Sequence, residues 1–315
     1  MKSNQHLVSI IIVSWNGKHW LEKCLPTIQK QTYKNFEIIV ADNGSTDGTV
    51  TWIHKKYPDI IIVPLGKNYG FAEGNNRAYK YAKGKYIYFL NNDTELAPTV
   101  LECLVQSLEE DPKTAGVQSK LLLMEKRDRL DTIGAFLTPT GFLYHNAFNH
   151  LDKADYNLNT ELYTLKGASM FFRKNVLDQV LLSGNVFDID YFAYFEETDL
   201  CHRIWLLGYK LRYAPSAVVW HHMGATSSSM DNTYVQFHSF KNRIATYLKN
   251  FEWITIGWLL PSHLLVCELF ATITLIRGNL KLWASIQKAI LWNIIHYRTT
   301  LEKRRVIFQD MKKKT

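Results

Sequence analysis

Four carboxylates stand where chemistry is feasible. Asp42 closes the run FEIIVA, Asp93 follows YIYFL after Asn91 and Asn92, and Glu196 and Glu197 follow the aromatic stretch Tyr191-Phe192-Ala193-Tyr194-Phe195. A carboxylate directly at a strand end can accept from a base N–H or a ribose hydroxyl, which is the chemistry open to Asp42. Asp93 offers a hard oxygen ligand. With no glycine cradle in the chain, a diphosphate bound there needs its charge balanced by Mg2+ or Mn2+, held between carboxylate and phosphate oxygens. His221, directly after SAVVW, is placed to complete an octahedral metal shell. Apolar surroundings raise a glutamate above its ordinary value of about 4.3, which suits Glu196 or Glu197 to general-base work near neutral pH. Plainer readings stand beside each of these. Asn-Asn-Asp can merely end a strand, acids in a first helical turn are favoured by the helix dipole, and Asp47 reads as a turn residue and cap. Asp199 and Arg203, four apart, read as a structural pair.

The elements that must position these groups are legible over the first hundred residues. LVSIIIV, FEIIVA, IIIV and YIYFL alternate with helical stretches over Leu21–Gln31, from Thr49, and over Ala72–Ala82. That alternation predicts a parallel, doubly wound sheet. Its strands are continuously apolar, as strands covered on both faces are. In such sheets ligands gather beyond the carboxyl ends of the strands, and three successive ends deliver polar clusters there: Ser14 and Asn16, then Asp42 and Asn43, then Asn91, Asn92 and Asp93. Ser45 is placed to cap the second helix, and Gly84 to close the third in a left-handed C′ position. Pro26 inside LEKCLPTIQK predicts a kink or a late start. Two further strands are expected in TLKGASMFFR and LRYAPSAVVW.

Composition narrows the classes. The chain has 315 residues, 47% of them hydrophobic and 21% charged, which is globular and large enough for two lobes around a sizeable core. There is no G-x-G-x-x-G after the first strand and no G-x-x-x-x-G-K-[ST], which disfavours a dehydrogenase or a P-loop NTPase. Cys24, Cys103, Cys201 and Cys267 are scattered, suggesting neither a zinc site nor a disulfide scaffold and fitting a reducing cytosol. The apolar run Leu7–Val13 has no small-residue cleavage site and reads as a strand, not a signal peptide. The sequons at Asn43 and Asn92 therefore carry no glycosylation meaning. Half of the formal charge of +8 lies in residues 301–315, a basic tail and not a groove with interleaved stacking aromatics, so nucleic acid is not an expected partner.

The motifs VSIIIVSWNG, FEIIVADNGSTDGT, KNYGFAEGNNRA, YFLNNDTEL, KGASMFFRKNVL, GNVFDIDYFAYFEETDLCHRIWLLGYK and AVVWHHMGATSS together resemble, in order, those of the family 2 glycosyltransferases of GT-A fold. The nearest likeness is to rhamnosyltransferase-like members of bacterial surface-polysaccharide pathways, over roughly residues 7–250. The resemblance implies an α/β, GT-A type nucleotide-sugar-binding sheet with helices on both faces. Residues 1–100 would be the nucleotide-sugar half and 101–250 the acceptor half. It implies an inverting, metal-dependent transfer from a dTDP-rhamnose or UDP-hexose type donor to a saccharide or lipid-linked acceptor. Asp42 would contact base or ribose, alongside donor-binding Ser14, Asn16, Asn43, Asn68, Asn75, Asn91 and Asn92. Asp93 would be the metal-binding last member of the D-x-D element, whose first acid is replaced by Asn91. Glu197 would stand in place of the catalytic Asp, with Glu196 its neighbour, and His221 would be a further metal or diphosphate ligand. A sugar-phosphate nucleotidyltransferase and a catalytically silent, membrane-bound assembly subunit are the competing readings.

Residues 251–315 change character. Trp253–Ile276 is long enough to cross a ~30 Å hydrocarbon core. Glu268, His263 and Pro261 argue instead for helices lying in the membrane plane on the cytosolic face, with the KRR and KKK clusters against anionic lipid. Packing on the second lobe or on another copy of the chain is the alternative.

Overall fold

The structure is a computed structural model, and it describes residues 6–224 and 231–312. The ATSS end of the last motif and residues 313–315 of the basic tail lie outside the described residues.

In chain order the elements are β1 (Val8–Ser14), α1 (Lys18–Gln29), β2 (Phe36–Asp42), α2 (Thr49–Lys56), β3 (Ile61–Pro64), α3 (Gly70–Tyr79), β4 (Tyr86–Leu90), β5 (Thr94–Leu96), α4 (Val100–Glu109) and β6 (Thr114–Leu123). There follow β7 (Leu130–Thr132), β8 (Ala135–Leu137), β9 (Leu143–His145), β10 (Ser169–Arg173), α5 (Lys174–Leu177), α6 (Glu196–Leu206) and β11 (Lys210–His221). The chain continues as α7 (Asn232–Asn250), α8 (Trp253–Ile276), α9 (Leu280–Ile295) and α10 (Tyr297–Lys312).

One sheet runs in the order β3-β2-β1-β4-β10-β6-β11-β5, with β7 paired to β6. Its first four strands are parallel, as the alternation predicts. Beyond them the sheet is mixed: β10 is antiparallel to β4 and β6 and β5 to β11, while β11 is parallel to β6. The short β10 enters the sheet from a long irregular segment and not from a crossover helix, so nothing forces it parallel. Burial on both faces explains the apolar runs. Val8, Ile10 and Ile12 pack with Leu21, Cys24 and Leu25 of α1, while Ile11 packs with Ala72 and Ala78 of α3 on the other side.

Three local expectations are corrected. Ser45 does not cap α2: the N-cap is Gly48, in the left-handed region and with no side-chain cap bond, while Asp47 Oδ1 accepts from the Thr49 N–H at 3.1 Å. Ser45 Oγ instead accepts from the Asn16 N–H at 2.9 Å. Helix α3 ends at Tyr79, so Gly84 is no C′ residue. It is a close-approach glycine, where a Cβ would lie 2.6 Å from the Ser9 nitrogen. Helix α1 starts at Lys18 with Pro26 inside it, so there is no late start. The carbonyl that Pro26 cannot bond lies on the exposed stripe of Glu22, where water reaches it.

The C-terminal helices are tied into the catalytic half by buried charge. Lys249 of α7 bonds Asp188 and lies 2.8 Å from Asp199 of α6. Lys303 of α10 reaches Asp188 at 2.5 Å and Asp190 at 2.6 Å. Arg203 completes the cluster on Asp199 at 3.1 Å, with neither side chain exposed. Arg304, also buried, donates to the backbone carbonyls of Leu248 and Phe251. Two of the three KRR residues therefore serve the protein interior, which corrects their assignment to lipid; only Arg305 is exposed. Lys303→Met would leave Asp188 with Lys249 alone, and the expected cost is about 3 kcal/mol, the lower end of the range for breaking a buried ion pair. Urea unfolding measures it, with Lys303→Arg expected to restore most of the loss.

Candidate active site

The carboxyl ends of β1, β2 and β4, the end of β11 and the first turn of α6 surround a cavity of about 330 Å3. Asn43, Asn68, Asn91, Asn92, Asp93, Glu196, Glu197 and His221 line it. Ser14, Asn16, Asp42 and Asn75 lie outside that lining. Ser14 sits beneath it, its Oγ accepting from Asn92 Nδ2 at 3.2 Å. Asn16, at φ 48°, ties two loops together, with Oδ1 accepting from the Thr46 N–H at 2.7 Å. Asn75 Nδ2 donates within α3 to the Phe71 carbonyl at 2.9 Å. Asp42 Oδ2 accepts from the Ser45 N–H at 3.0 Å and so fixes the turn after β2.

Three carboxylate oxygens are buried with no hydrogen-bond partner among the described residues: Asp42 Oδ1, Asp93 Oδ1 and Glu196 Oε2. A buried, unpartnered acceptor of this kind costs of the order of 1–3 kcal/mol unless a ligand satisfies it. At Asp93 the surroundings say which ligand fits. Burial pushes its carboxyl up, against the pull of His221. His221 Nδ1 lies 2.8 Å from Asp131 Oδ2, and its Nε2 lies 3.7 Å from Asp93 Oδ1. Burial favours a protonated Asp131, yet the hydrogen bond from His221 and the Lys166 ammonium, at 2.5 Å, hold it down at about 2. Asp131 is thus an ionised acceptor for the Nδ1–H. With Nδ1 engaged by Asp131, the other ring nitrogen, Nε2, faces the unpartnered Asp93 oxygen at 3.7 Å. A carboxylate behind a histidine, with the other ring nitrogen free, is the support that metal-ligating histidines usually have. Asp93 and His221 together therefore fit a divalent cation. No cluster of three or more His, Cys, Asp or Glu able to hold a metal occurs among the described residues, so its remaining ligands would be water and substrate oxygens.

Across the cavity, the two glutamates differ. Burial pushes Glu197 up to about 7, with the cations of Lys166 and Arg243 restraining the rise. Burial raises Glu196 well above the usual range, and the neighbouring Glu197 charge adds to it. Glu196 is 5% exposed, whereas Glu197 keeps part of its surface open. Glu197 is the member of the pair that ionises near neutral pH. The turn that aims it is strained: Tyr194 and Phe195 have φ of 73° and 71°, a conformation that non-glycine residues rarely adopt. Asn242 of α7 holds it there, its Nδ2 donating to the carbonyls of Ala193 at 3.0 Å and Tyr194 at 2.6 Å.

Asp131, Lys166 and Asn242 do not stand out in the sequence. Lys166 opens the motif KGASMFFR and could have been found there, but Asp131 lies in a segment with no periodicity and Asn242 in a helix far along the chain. The N-terminus of α3 meets the other rim of the cavity so closely that a Cβ on Gly70 would lie 2.2 Å from the Phe192 carbonyl oxygen. With φ at 81° as well, Gly70→Ala is expected to destabilise by about 2–4 kcal/mol and to displace Phe192. Denaturant titration and quenching of the nearby Trp15 fluorescence check both.

Residues 9–181 match the family model for Glycosyl transferase family 2. Over 108 residues the chain is 40% identical to the UDP-Glc:alpha-D-GlcNAc-diphosphoundecaprenol beta-1,3-glucosyltransferase WfaP of Escherichia coli, a match covering 33% of this chain and 42% of that one. It is 24% identical over 215 residues to the poly-beta-1,6-N-acetyl-D-glucosamine synthase of Staphylococcus aureus, covering 68% of this chain and 49% of the relative. The matches thus span less than half of either relative. Among solved structures, the mannosyltransferase PcManGT from Pyrobaculum calidifontis with GDP-Man and Mn2+ aligns over 99% of this chain and 88% of its own, with a TM-score of 0.55 and 16% identity. GalNAc-T7 with UDP, GalNAc and Mn2+ aligns over 79% of this chain and 48% of its own, with a TM-score of 0.63 and 15% identity.

Proposed function

The chain belongs to the family 2 glycosyltransferases and has the GT-A fold, and from that premise we propose an inverting, metal-dependent transfer of a sugar from a nucleotide-diphospho-sugar to a saccharide or lipid-linked saccharide acceptor. The observation that carries this reading is one cavity with the unpartnered Asp93 oxygen facing His221 Nε2 on one wall and Glu197, pushed up to about 7, on another. Asn68, Asn91 and Asn92 offer amide groups to the donor, Asn43 shapes the wall through its bonds to the Gly70 carbonyl and the Tyr69 N–H, and the free Asp42 oxygen is the proposed partner of base or ribose just outside the cavity lining. A divalent cation on Asp93 and His221 would neutralise charge on the departing nucleoside diphosphate. Glu197 takes the proton of an acceptor hydroxyl as that oxygen bonds to the anomeric carbon, and the bond to the diphosphate breaks on the opposite face with its electron pair leaving on phosphate. One displacement inverts the centre. A hexose or rhamnose donor on UDP or dTDP is the proposed class, supported by the UDP-Glc named for the E. coli relative.

Peripheral attachment to the cytosolic membrane face completes the proposal. Helix α8 shows the outside Ile254, Leu265 and Ile276 at 83%, 62% and 80% exposure. Two of the three residues that argue against a span, His263 and Glu268, are engaged with protein. His263 Nδ1 lies 2.9 Å from the Thr140 carbonyl, and Gln287 of α9 donates to Glu268 at 2.9 Å. The helix is held flat on the molecule, outer face bare. The diphosphoundecaprenol acceptor named for the E. coli relative supports a membrane-borne substrate.

Glu197→Gln is expected to lower kcat by roughly 10²–10⁴ while donor affinity holds, with Glu196→Gln much milder. In the parent enzyme kcat/KM should rise with pH through about 7 and then level, because the base works only when deprotonated. An unchanged rate in Glu197→Gln, or the large loss in Glu196→Gln, rejects the assignment. Asp93→Ala should abolish Mn2+-dependent stabilisation by nucleotide sugars in thermal-shift measurements; retention of that shift rejects the metal site. For the membrane, Ile254, Leu265 and Ile276 changed together to Ser should abolish flotation with anionic vesicles. Truncation after residue 250 is the wrong test, since it removes Lys303 from buried Asp188.

A further inference from the structure

A second cavity, of about 830 Å3, opens beside the first. Trp15, Asn68 and Phe192 line both, so an elongated ligand can run from one into the other. Aromatic side chains flank the passage: Trp15 and Tyr234 are 40% and 39% exposed there, flat surfaces on which a sugar ring can pack. The far wall is α9, which contributes Lys281 and Lys288, both exposed. Asp231 is the only acid among the described residues lining this cavity. It is committed to the N-terminus of α7, accepting from the N–H and the hydroxyl of Thr233 at 2.8 Å each. Two ammonium groups against one occupied carboxylate leave the groove positive.

Helix geometry continues the path. At about 100° and 1.5 Å per residue, positions 284, 288, 291 and 295 fall on one stripe of α9. The stripe begins in the groove at Ala284 and Lys288 and ends on Leu291 and Ile295, which are 52% and 67% exposed. From the sugar-sized cavity the surface passes the aromatic side chains of Trp15, Phe192 and Tyr234 to two cations on α9, and further along that helix to bare aliphatic side chains.

Resting on the glycosyltransferase reading, we infer that this second groove binds the acceptor, and that the acceptor is a saccharide joined through a diphosphate to a lipid. The sugar enters by Trp15 and Phe192, the diphosphate lies on Lys281 and Lys288, and the first lipid carbons run over Leu291 and Ile295. The order of surfaces matches the order of groups in such a molecule, and matches neither a free oligosaccharide, which needs no aliphatic end, nor a plain bilayer, which needs no passage to the cavity.

The test uses the full chain and farnesyl diphosphate as probe, with farnesol and inorganic diphosphate as controls. Titrations are run with and without Mn2+ and the nucleoside diphosphate that shifts melting most, so that the donor site is filled in one arm. Farnesyl diphosphate is expected to bind with the donor site filled, and each control at least tenfold more weakly. Lys281→Glu with Lys288→Glu should weaken farnesyl diphosphate by roughly a hundredfold, about tenfold for each charge-assisted hydrogen bond to the diphosphate that is removed. Nucleotide binding and melting temperature should hold, since both lysines are exposed; Lys281→Ala with Lys288→Ala supplies the same reading without charge reversal. Equal binding by parent and variants overturns the inference. So does loss of flotation with phosphatidylglycerol vesicles while farnesyl diphosphate still binds, which would assign the lysines to the bilayer. A chain that binds nucleotide but not farnesyl diphosphate defeats this inference alone, whereas one that binds farnesyl diphosphate and no nucleotide defeats the donor assignment instead.

Discussion

The arrangement hinges on a chain of buried ions: Arg203 to Asp199, Asp199 to Lys249, Lys249 to Asp188, Asp188 to Lys303. Four separate parts of the sequence meet in it, and Asp199 sits in the same helical turn as Glu196 and Glu197. Burial alone would drive Asp188 towards its neutral form, but the ammonium groups of Lys249 and Lys303 hold it well below the usual carboxylate range. Desolvating such groups is costly, and well-packed apolar residues of the same volume often give equal or greater stability. What ions add is direction. An apolar interface tolerates small slides, whereas Asp199, shared between Arg203 and Lys249, fixes where α7 meets α6, and Asp188, shared between Lys249 and Lys303, fixes where α10 meets α7. That fixes the strained Tyr194–Phe195 turn as well, because Asn242, which clamps it, lies on the same α7.

Set against this satisfied cluster, the cavity's own carboxylates are the exception. Asp93 and Glu196 each leave an oxygen without a partner among the described residues, and Asp42 does so just beside them. The same chain that pairs Asp131 with both His221 and Lys166 leaves these open a few ångströms away. Unsatisfied buried acceptors collected on one side of a sheet are hard to account for as packing, and are what a cation and a polar ligand would complete. Among the described residues, every buried carboxylate oxygen left without a partner lies at the cavity or just beside it.

What could be read from the sequence follows the range of the interactions. Strands β1, β2, β3 and β4 announce themselves through largely apolar runs, since burial on both faces leaves few polar positions. The strand-end clusters followed from that, and with them Asn43, Asn91, Asn92 and Asp93 at the cavity. Local chemistry misled wherever two residues could serve. Asp47, and not Ser45, meets the start of α2, its carboxylate accepting from the Thr49 N–H and, across the loops, from the Lys18 N–H. Gly84 resembles a helix terminator, but its role is contact with Ser9 on a strand 75 residues away. The antiparallel entry of β10 and the carboxylate behind His221 depend on pairings between distant segments, which no periodicity records.

The basic tail shows the same limit with a functional consequence. Lys303 and Arg304 look, in sequence, like charges left over for an anionic surface, yet one neutralises buried aspartates and the other ties down the end of α7. The C-terminal helices are therefore built into the catalytic unit and not tethered to it. A tether would leave the cavity free to tumble over a membrane. A helix layer locked through Asp188 and Lys303 instead holds the bare face of α8 at one angle to the cavity mouth, so that if α8 lies on lipid the depth and direction at which a membrane-borne acceptor arrives are set by the same ions that hold Glu197 in place.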